Sequence, residues 1–124
     1  MKEVDLSNPD VVRYVVKRFG LRMNKKLGQN FLIRRAVVDD IADAAGIGEG
    51  NPVLEIGPGI GTLTQALAET GAAVTAGELD DHLLPVLDKT LEHYDNVRVV
   101  HGDILRIDIE EVMNHQPLTV CANP

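Results

Sequence analysis

The sequence predicts an α/β fold built on a doubly wound parallel sheet. Short apolar segments of strand length alternate with segments in which apolar residues recur at helical spacing. Such alternation is typical of parallel strands that are joined by helical crossovers. Three glycines at every second position follow the first strand, and a helical pattern begins directly after them. The 124 residues suffice for one small domain with a substantial core.

The N-terminal segment predicts a short amphipathic helix. Ser7 or Asn8 can cap this helix, Pro9 suits its first turn, and Gly20 is a natural stop. The apolar residues between these positions recur at helical spacing on one face, whereas the basic residues lie off it. We expect the helix to pack on the main domain and residues 21–34 to form an ordered basic loop.

The rest of the chain predicts four strands and four helices in alternation. The predicted strands are 53–56, 72–78, 97–101 and 118–122. The predicted helices are 36–45, 62–70, 80–93 and 108–115, the last of them loose. Asn51 and Pro52 are expected to form a turn before the first strand, and Asp80 or Asp81 to cap the third of these helices.

Composition favours a cytoplasmic protein. No apolar run approaches the ~20 residues that span a membrane, and the first residues do not form a secretion signal. Cys121 is the single cysteine, which excludes an intrachain disulfide, and its apolar neighbours predict a buried thiol. These features fit a reducing compartment.

The net charge of −7 is unevenly distributed along the chain. Residues 1–35 hold nine Lys and Arg against three Asp and Glu, whereas residues 36–124 hold three against sixteen. We therefore divide the chain into a basic N-terminal helix and loop (1–35) and an acidic main domain (36–124). The basic part could meet phosphates, although an ordinary solvated helix face explains its charge equally well.

The glycine turn is the first candidate site. Residues 55–61 read E-x-G-x-G-x-G, between a strand and a helix. Such a turn brings bare backbone and the N–H groups of a helix start against a ligand, and side chains at Gly57 or Gly59 would hold the ligand away. The spacing differs from the G-x-G-x-x-G of dinucleotide sites, and no P-loop lysine follows. An ordinary tight turn is the alternative.

Further candidates stand at the ends of the next two strands. Ligands bind at this edge of open parallel sheets. Glu78 could accept hydrogen bonds from both hydroxyls of a ribose, or be an exposed strand-end residue. Asp103 could accept from an adenine amino group, with the N–H of Ile104 serving a ring nitrogen, or cap a turn. No cluster has metal-ligand spacing, and no nucleophile–base pair is evident.

Four motifs together resemble the bacterial 16S rRNA adenine N6,N6-dimethyltransferase family. They are KLGQNFL at 26–32, EIGPGIG at 55–61, ELD at 78–80 and GDIL at 102–105. The glycine motif alone marks the Rossmann-like class I S-adenosylmethionine (SAM)-dependent methyltransferases. The first motif is more specific and marks the rRNA adenine dimethylase superfamily, which includes the 23S rRNA methylases of macrolide resistance.

The resemblance implies a SAM site and a catalytic residue. The residues assigned to SAM are Asn30, Leu32, Gly57, Gly59, Glu78, Leu79, Asp103, Ile104 and Asn123. Asn123 would also be catalytic, because it opens the family's Asn-Leu-Pro-Tyr motif, whose oxygens receive the amino hydrogens of the target adenine. The implied partner is 16S rRNA in the small ribosomal subunit. A monomer is expected, without a metal or a membrane contact.

Two departures from the family shape the expectation for these 124 residues. Pro124 stands where the family usually has Leu, and neither the aromatic residue of the motif nor the family's C-terminal helical domain follows. We expect a partial SAM-binding domain, truncated after the fourth strand, that binds SAM and is a poor enzyme or none alone. Alternatives are a 23S rRNA methylase, a non-catalytic ribosome-binding module and a nicotinamide-dependent oxidoreductase.

Overall fold

A computed structural model describes residues 4–21, 40, 43, 46–103 and 119–122, and for 119, 121 and 122 it describes the backbone only. The helices whose bounds the structure describes are α1 (Pro9–Arg18), α2 (Thr62–Glu69) and α3 (Leu84–Thr90), with a 3-10 helix at Asp81–Leu83. The strands are β1 (Pro52–Ile56), β2 (Ala73–Glu78), β3 (Val97–His101) and β4 (Thr119–Ala122).

The four strands form one parallel sheet in the order β3-β2-β1-β4. The chain moves outward from β1 to β2 and β3, and then returns to place β4 on the other side of β1. This reversal of direction at β1 defines a doubly wound sheet, so the predicted fold class is confirmed. Ile56 pairs with Gly77 on one side and Ala122 on the other, which aligns the carboxyl ends of the three strands.

One apolar core lies between the sheet and α2. Val53 of β1 and Val74 of β2 pack with Leu63 and Leu67 of α2, and all four side chains are buried. Val53 and Leu67 have no exposed surface. A fully buried aliphatic side chain of this size contributes about 1.5–3 kcal/mol, so this cluster fixes α2 on the sheet.

A second core attaches α1 to the domain. Val12, Val15 and Val16 project from one face of α1 and pack with Ile60 of the glycine turn and Val86 of α3. The helix begins as predicted, because the side chain of its N-cap, Asn8, accepts a hydrogen bond from the N–H of Asp10 at 2.9 Å. The predicted packing of the N-terminal helix on the main domain is confirmed.

The buried amide of Gln65 links three segments of the chain. Its Oε1 accepts the N–H of Leu6 at 2.9 Å, and its Nε2 donates to the carbonyl oxygens of Val4 and Thr90 at 2.5 and 2.7 Å. Gln65 is 5% exposed, and its bonds to Leu6 and Thr90 are buried. They anchor the segment before α1 to α2 and to the end of α3.

The helix predicted at 80–93 is shorter and begins differently. Asp80 caps a 3-10 turn by accepting the N–H of His82, and α3 itself begins at Leu84. Pro85 has no N–H to donate to the preceding turn, which favours this tighter start. The last α-helical hydrogen bond runs from the N–H of Leu91 to the carbonyl of Leu87, and α3 ends at Thr90. The expected end at His93 is therefore wrong.

The remaining boundaries agree with the predictions to within one residue where the structure describes them. Pro52 opens β1 instead of ending a turn, β2 starts at Ala73, and α2 ends at Glu69. Asp40 and Asp43 are helical, as expected for 36–45, whose other residues lie outside the described ranges. Three further predictions fall on residues outside the described ranges: the loop 21–34 beyond Leu21, the helix at 108–115 and the buried side chain of Cys121.

No helix in the described part of the chain is long and apolar enough to cross a membrane.

We predict that Gln65→Leu lowers the free energy of unfolding by about 3 kcal/mol, because it leaves one N–H and two carbonyl groups without a buried partner. Urea-induced unfolding measures the change. The control is Glu69→Ala on the same helix, which removes an exposed bond from the hydroxyl of Tyr94 and should cost less than about 0.5 kcal/mol. Similar losses in both variants would show that the amide is not a structural link.

Candidate functional site

A cleft of about 370 Å³ opens at the carboxyl ends of β1, β2 and β3. This edge adjoins the point where the winding direction of the sheet reverses, and ligands of open α/β sheets bind there. The cleft is lined by Ile56, Gly57, Gly77, Glu78, Leu79, Gly102 and Asp103. Its volume falls in the range of roughly 300–1,000 Å³ that is usual for small-molecule sites.

The glycine turn supplies the backbone wall of this cleft. Gly57 has a φ of +69°, and a side chain added there would point into open space. Its N–H donates to the carbonyl of Gly77 at 3.0 Å, which holds the turn against β2. The space beside Gly57 is therefore open to a ligand that approaches the backbone closely.

Gly61 has a different role in the same turn. Its φ is +101°, and an added Cβ would lie 2.9 Å from the Oγ1 of Thr90. That hydroxyl donates to the carbonyl of Ile60 at 2.8 Å and so fixes the turn against α3. Gly61 is also the N-cap of α2, and no side chain among the described residues caps the helix there.

The carboxylate of Glu78 joins the two loops that border the cleft. Its Oε1 accepts the N–H of Gly59 at 3.3 Å, and its Oε2 accepts the N–H of Asp80 at 3.0 Å. Glu78 is 6% exposed, although the alternative considered for it was an exposed strand-end residue. A carboxylate has about four acceptor positions, so each oxygen can accept a further hydrogen bond from a ligand.

The ends of β2 and β3 complete the cleft. The N–H of Gly102 donates to the carbonyl of Glu78 at 2.9 Å, which places Asp103 on the same rim. Leu79 is 65% exposed, an unusual environment for a leucine, and its apolar side chain forms part of the wall. Asp103 is half-buried.

The structure thus brings together the predicted site residues that it describes. Gly57, Glu78, Leu79 and Asp103 line one cleft, and Gly59 is bonded to it through Glu78. The other predicted site residues, Asn30, Leu32, Ile104 and Asn123, lie outside the described ranges.

Glu55 is a residue whose environment the sequence interpretation missed. It lies in the central strand with no exposed surface, and burial raises the pKa of its carboxyl from 4.5 to about 7. The hydroxyl of Thr64 donates to Oε1 and lowers this pKa, whereas the negative charge of Glu78 adds to the rise. Its Oε2 has no hydrogen-bond partner among the described residues. The sequence signal for this burial is the position of Glu55 inside the otherwise apolar strand 53–56.

Asp80, Asp81 and His82 form an exposed group whose oxygen and nitrogen atoms lie within 4.8 Å of one another. The sequence spacing had not indicated a metal site there. Asp80 already has a structural role, because its carboxylate accepts the backbone N–H of His82 at 2.9 Å. The ring Nδ1 of His82 lies 3.2 Å from the same carboxylate oxygen. The group lies beyond the residues that line the cleft.

Comparison with known proteins identifies the sequence family. Residues 20–124 match the family model described as ribosomal RNA adenine dimethylase. The chain is 46% identical over 125 aligned positions to the Listeria welshimeri protein named ribosomal RNA small subunit methyltransferase A. The alignment covers 96% of this chain and 42% of that relative, so the chain spans less than half the length of the curated proteins that it matches.

Solved structures show the same fold. The crystal structure of the 23S rRNA methyltransferase ErmE matches with a TM-score of 0.54 and 37% identity, over 60% of this chain and 31% of that one. The glycopeptide N-methyltransferase MtfA, crystallised with SAM, matches with a TM-score of 0.54 and 30% identity, over 61% of this chain and 35% of that one.

We predict that stability falls with rising pH through the titration of Glu55. The folded state retains a proton that the unfolded state loses near pH 4.5. The contribution of Glu55 to the free energy of unfolding is therefore fully present below pH 4.5 and is lost as pH rises through about 7. The free energy of unfolding should fall by about 2–3 kcal/mol more between pH 5 and pH 8 than in Glu55→Gln, whose side chain stays neutral.

Urea unfolding of both proteins at several pH values measures this difference, and titrations that they share cancel. Glu69→Gln, on the exposed side of α2, is the control and should follow the parent chain. Parallel pH profiles for the parent chain and Glu55→Gln would contradict the prediction.

Proposed function

Because the chain belongs to the ribosomal RNA adenine dimethylase family, we propose that it forms the SAM-binding part of an enzyme that dimethylates N6 of adenines in 16S rRNA. The observation that carries this proposal is the buried carboxylate of Glu78, held beside a glycine turn at the switch point of the sheet. The activity of the whole protein is part of the proposal, since the relatives extend well beyond the matched region.

The cleft suits the three parts of SAM. Glu78 has acceptor positions left for the two ribose hydroxyls after its bonds to the loops. The open space beside Gly57 admits the methionine part against bare backbone, with Gly59 next to it. Leu79 offers an apolar surface to the adenine ring, and Asp103 an acceptor for its amino group. When bound, SAM supplies a methyl group on a positively charged sulfonium.

Four further residues are assigned by the family resemblance. Asn30 and Leu32 would cover the methionine end of SAM, and the N–H of Ile104 would serve its adenine. The side-chain and backbone oxygens at Asn123 would accept the amino hydrogens of the target base. Such acceptors make N6 more nucleophilic, because its lone pair is otherwise delocalised into the ring. Catalysis is then the positioning of two bound reactants, with the target adenine turned out of its stack.

The small ribosomal subunit is the proposed target. The curated relatives that support this target are the proteins of Listeria welshimeri and Lactiplantibacillus plantarum named ribosomal RNA small subunit methyltransferase A, each 46% identical over almost the whole of this chain. A ribosomal substrate would place the protein in the cytoplasm, where it would take part in ribosome biogenesis. The glycine spacing makes a nicotinamide cofactor a poor fit.

Calorimetric titration with SAM tests the cofactor site. We expect saturable binding by the 124-residue chain, weakened by roughly 10- to 100-fold in Glu78→Gln and in Asp103→Ala, because each change removes a charged acceptor. Asp81→Ala is the matched control, since it removes an exposed carboxylate that does not line the cleft. Unchanged affinity in both cleft variants would contradict the site, and saturable binding of NADH instead of SAM would contradict the function.

Methyl transfer tests the reaction and its target. With labelled SAM, we expect a full-length relative to label small ribosomal subunits and not large ones. The 124-residue chain should act far more slowly on the same particles, because it spans 42% of the relative's length. A rate near that of the relative would refute this expectation. Labelling of the 23S rRNA by the relative would favour the alternative substrate.

A further inference from the structure

Helix α1 has an outer face that the fold does not use. Val12, Val15 and Val16 point into the core, and the opposite side carries exposed residues at positions i, i+1, i+4 and i+5. Residues at this spacing form one stripe on a helix. The stripe consists of Arg13, Tyr14, Lys17 and Arg18, and we call it the α1 basic face.

The side chains of this face are available to a partner. Tyr14 is 64% exposed and is one of three exposed large apolar side chains in the described part of the chain. Lys17 and Arg18 form no ion pair with the described carboxylates, and the guanidinium of Arg18 lies 5.9 Å from the ring centre of Phe19. Arg13 pairs with Asp10 at the surface, where such a bond contributes little.

The fold attaches the helix that carries this face to the glycine turn. The buried side of α1 packs on Ile60, which belongs to the same glycine turn as Gly57, a residue that lines the cleft. Gln65 anchors the segment that precedes α1. Residues 36–124 carry sixteen acidic and three basic residues, so the basic face is a local positive region on an otherwise acidic chain.

We propose that the α1 basic face is an RNA-contact surface, on which Arg13, Lys17 and Arg18 contact phosphates and Tyr14 stacks on an unpaired base. It rests on the proposed function, because the rRNA substrate provides the RNA. Cations beside an exposed aromatic ring suit a single-stranded segment, where charge and stacking act together. A lipid surface is disfavoured, because the face has one aromatic residue and no apolar row that could insert into a bilayer.

Fluorescence anisotropy with a fluorescein-labelled 20-nucleotide single-stranded RNA of mixed sequence, from 50 to 200 mM KCl, tests this surface. The variant Arg13→Gln/Lys17→Gln/Arg18→Gln should reduce the slope of log K against log salt by about 2, since each phosphate contact contributes about 0.7. Tyr14→Ala should weaken binding by about tenfold and leave the slope unchanged, because stacking does not release counterions.

Lys17→Gln and Lys89→Gln form a matched pair, because both remove one positive charge from the last turn of a helix. The first should lower the slope by about 0.7 and the second should leave it unchanged. Equal effects would overturn the proposal, because binding would then follow net charge alone. An unchanged slope in the triple variant would overturn the proposal too. It would also be overturned if the parent chain bound phosphatidylserine vesicles and the triple variant lost this binding while it still bound RNA like the parent chain.

A SAM titration of the same proteins separates the two proposals. The substitutions lie on the exposed side of α1 and leave the cleft intact, so the triple variant should bind SAM like the parent chain. If the parent chain does not bind SAM and the triple variant still shows the reduced salt slope, the result would support the RNA surface and contradict the cofactor site. Normal SAM binding with no change in RNA binding would contradict the RNA surface only.

Discussion

The two hydrogen bonds of the Glu78 carboxylate determine the shape of the cleft. They join the N–H of Gly59 in the first loop to the N–H of Asp80 in the second, across the ends of adjacent parallel strands. A carboxylate that accepts backbone N–H groups forms charge-assisted bonds, and the side chain of Glu78 is buried. The same group that would recognise a ribose therefore also links the two loops that border the cleft.

A second acid, Glu55, lies within the central strand and has a different environment. Burial favours its neutral form, and the nearby negative charge of Glu78 acts in the same direction. Two ionised carboxylates at this site would repel each other in a region of low dielectric constant. Below a pH of about 7 the protein thus keeps Glu55 neutral in the core, where it is bonded to Thr64 of α2, whereas Glu78 accepts backbone N–H groups at the cleft.

The strands, the doubly wound order and the family could be predicted from the sequence, because apolar periodicity and contiguous motifs are local signals; the fold and the family resemblance are confirmed. The early end of α3 at Thr90 depends on tertiary packing, which no local pattern specifies. The same is true of the bonds of Gln65 to Val4 and Leu6, about sixty residues away in the sequence. The role assigned to Asn123 is a prediction from the motif alone.

The glycine turn is held in one conformation by its contacts, although glycine loses more backbone entropy on folding than other residues. Three sets of contacts compensate for this cost. Glu78 fixes Gly59 from the sheet side, and the hydroxyl of Thr90 fixes the carbonyl of Ile60 from α3. The side chain of Ile60 is 1% exposed and packs beneath α1. The glycine turn thus carries both Gly57, which lines the cleft, and Ile60, which attaches the N-terminal helix, so a disturbance of that helix core would alter the backbone of the turn.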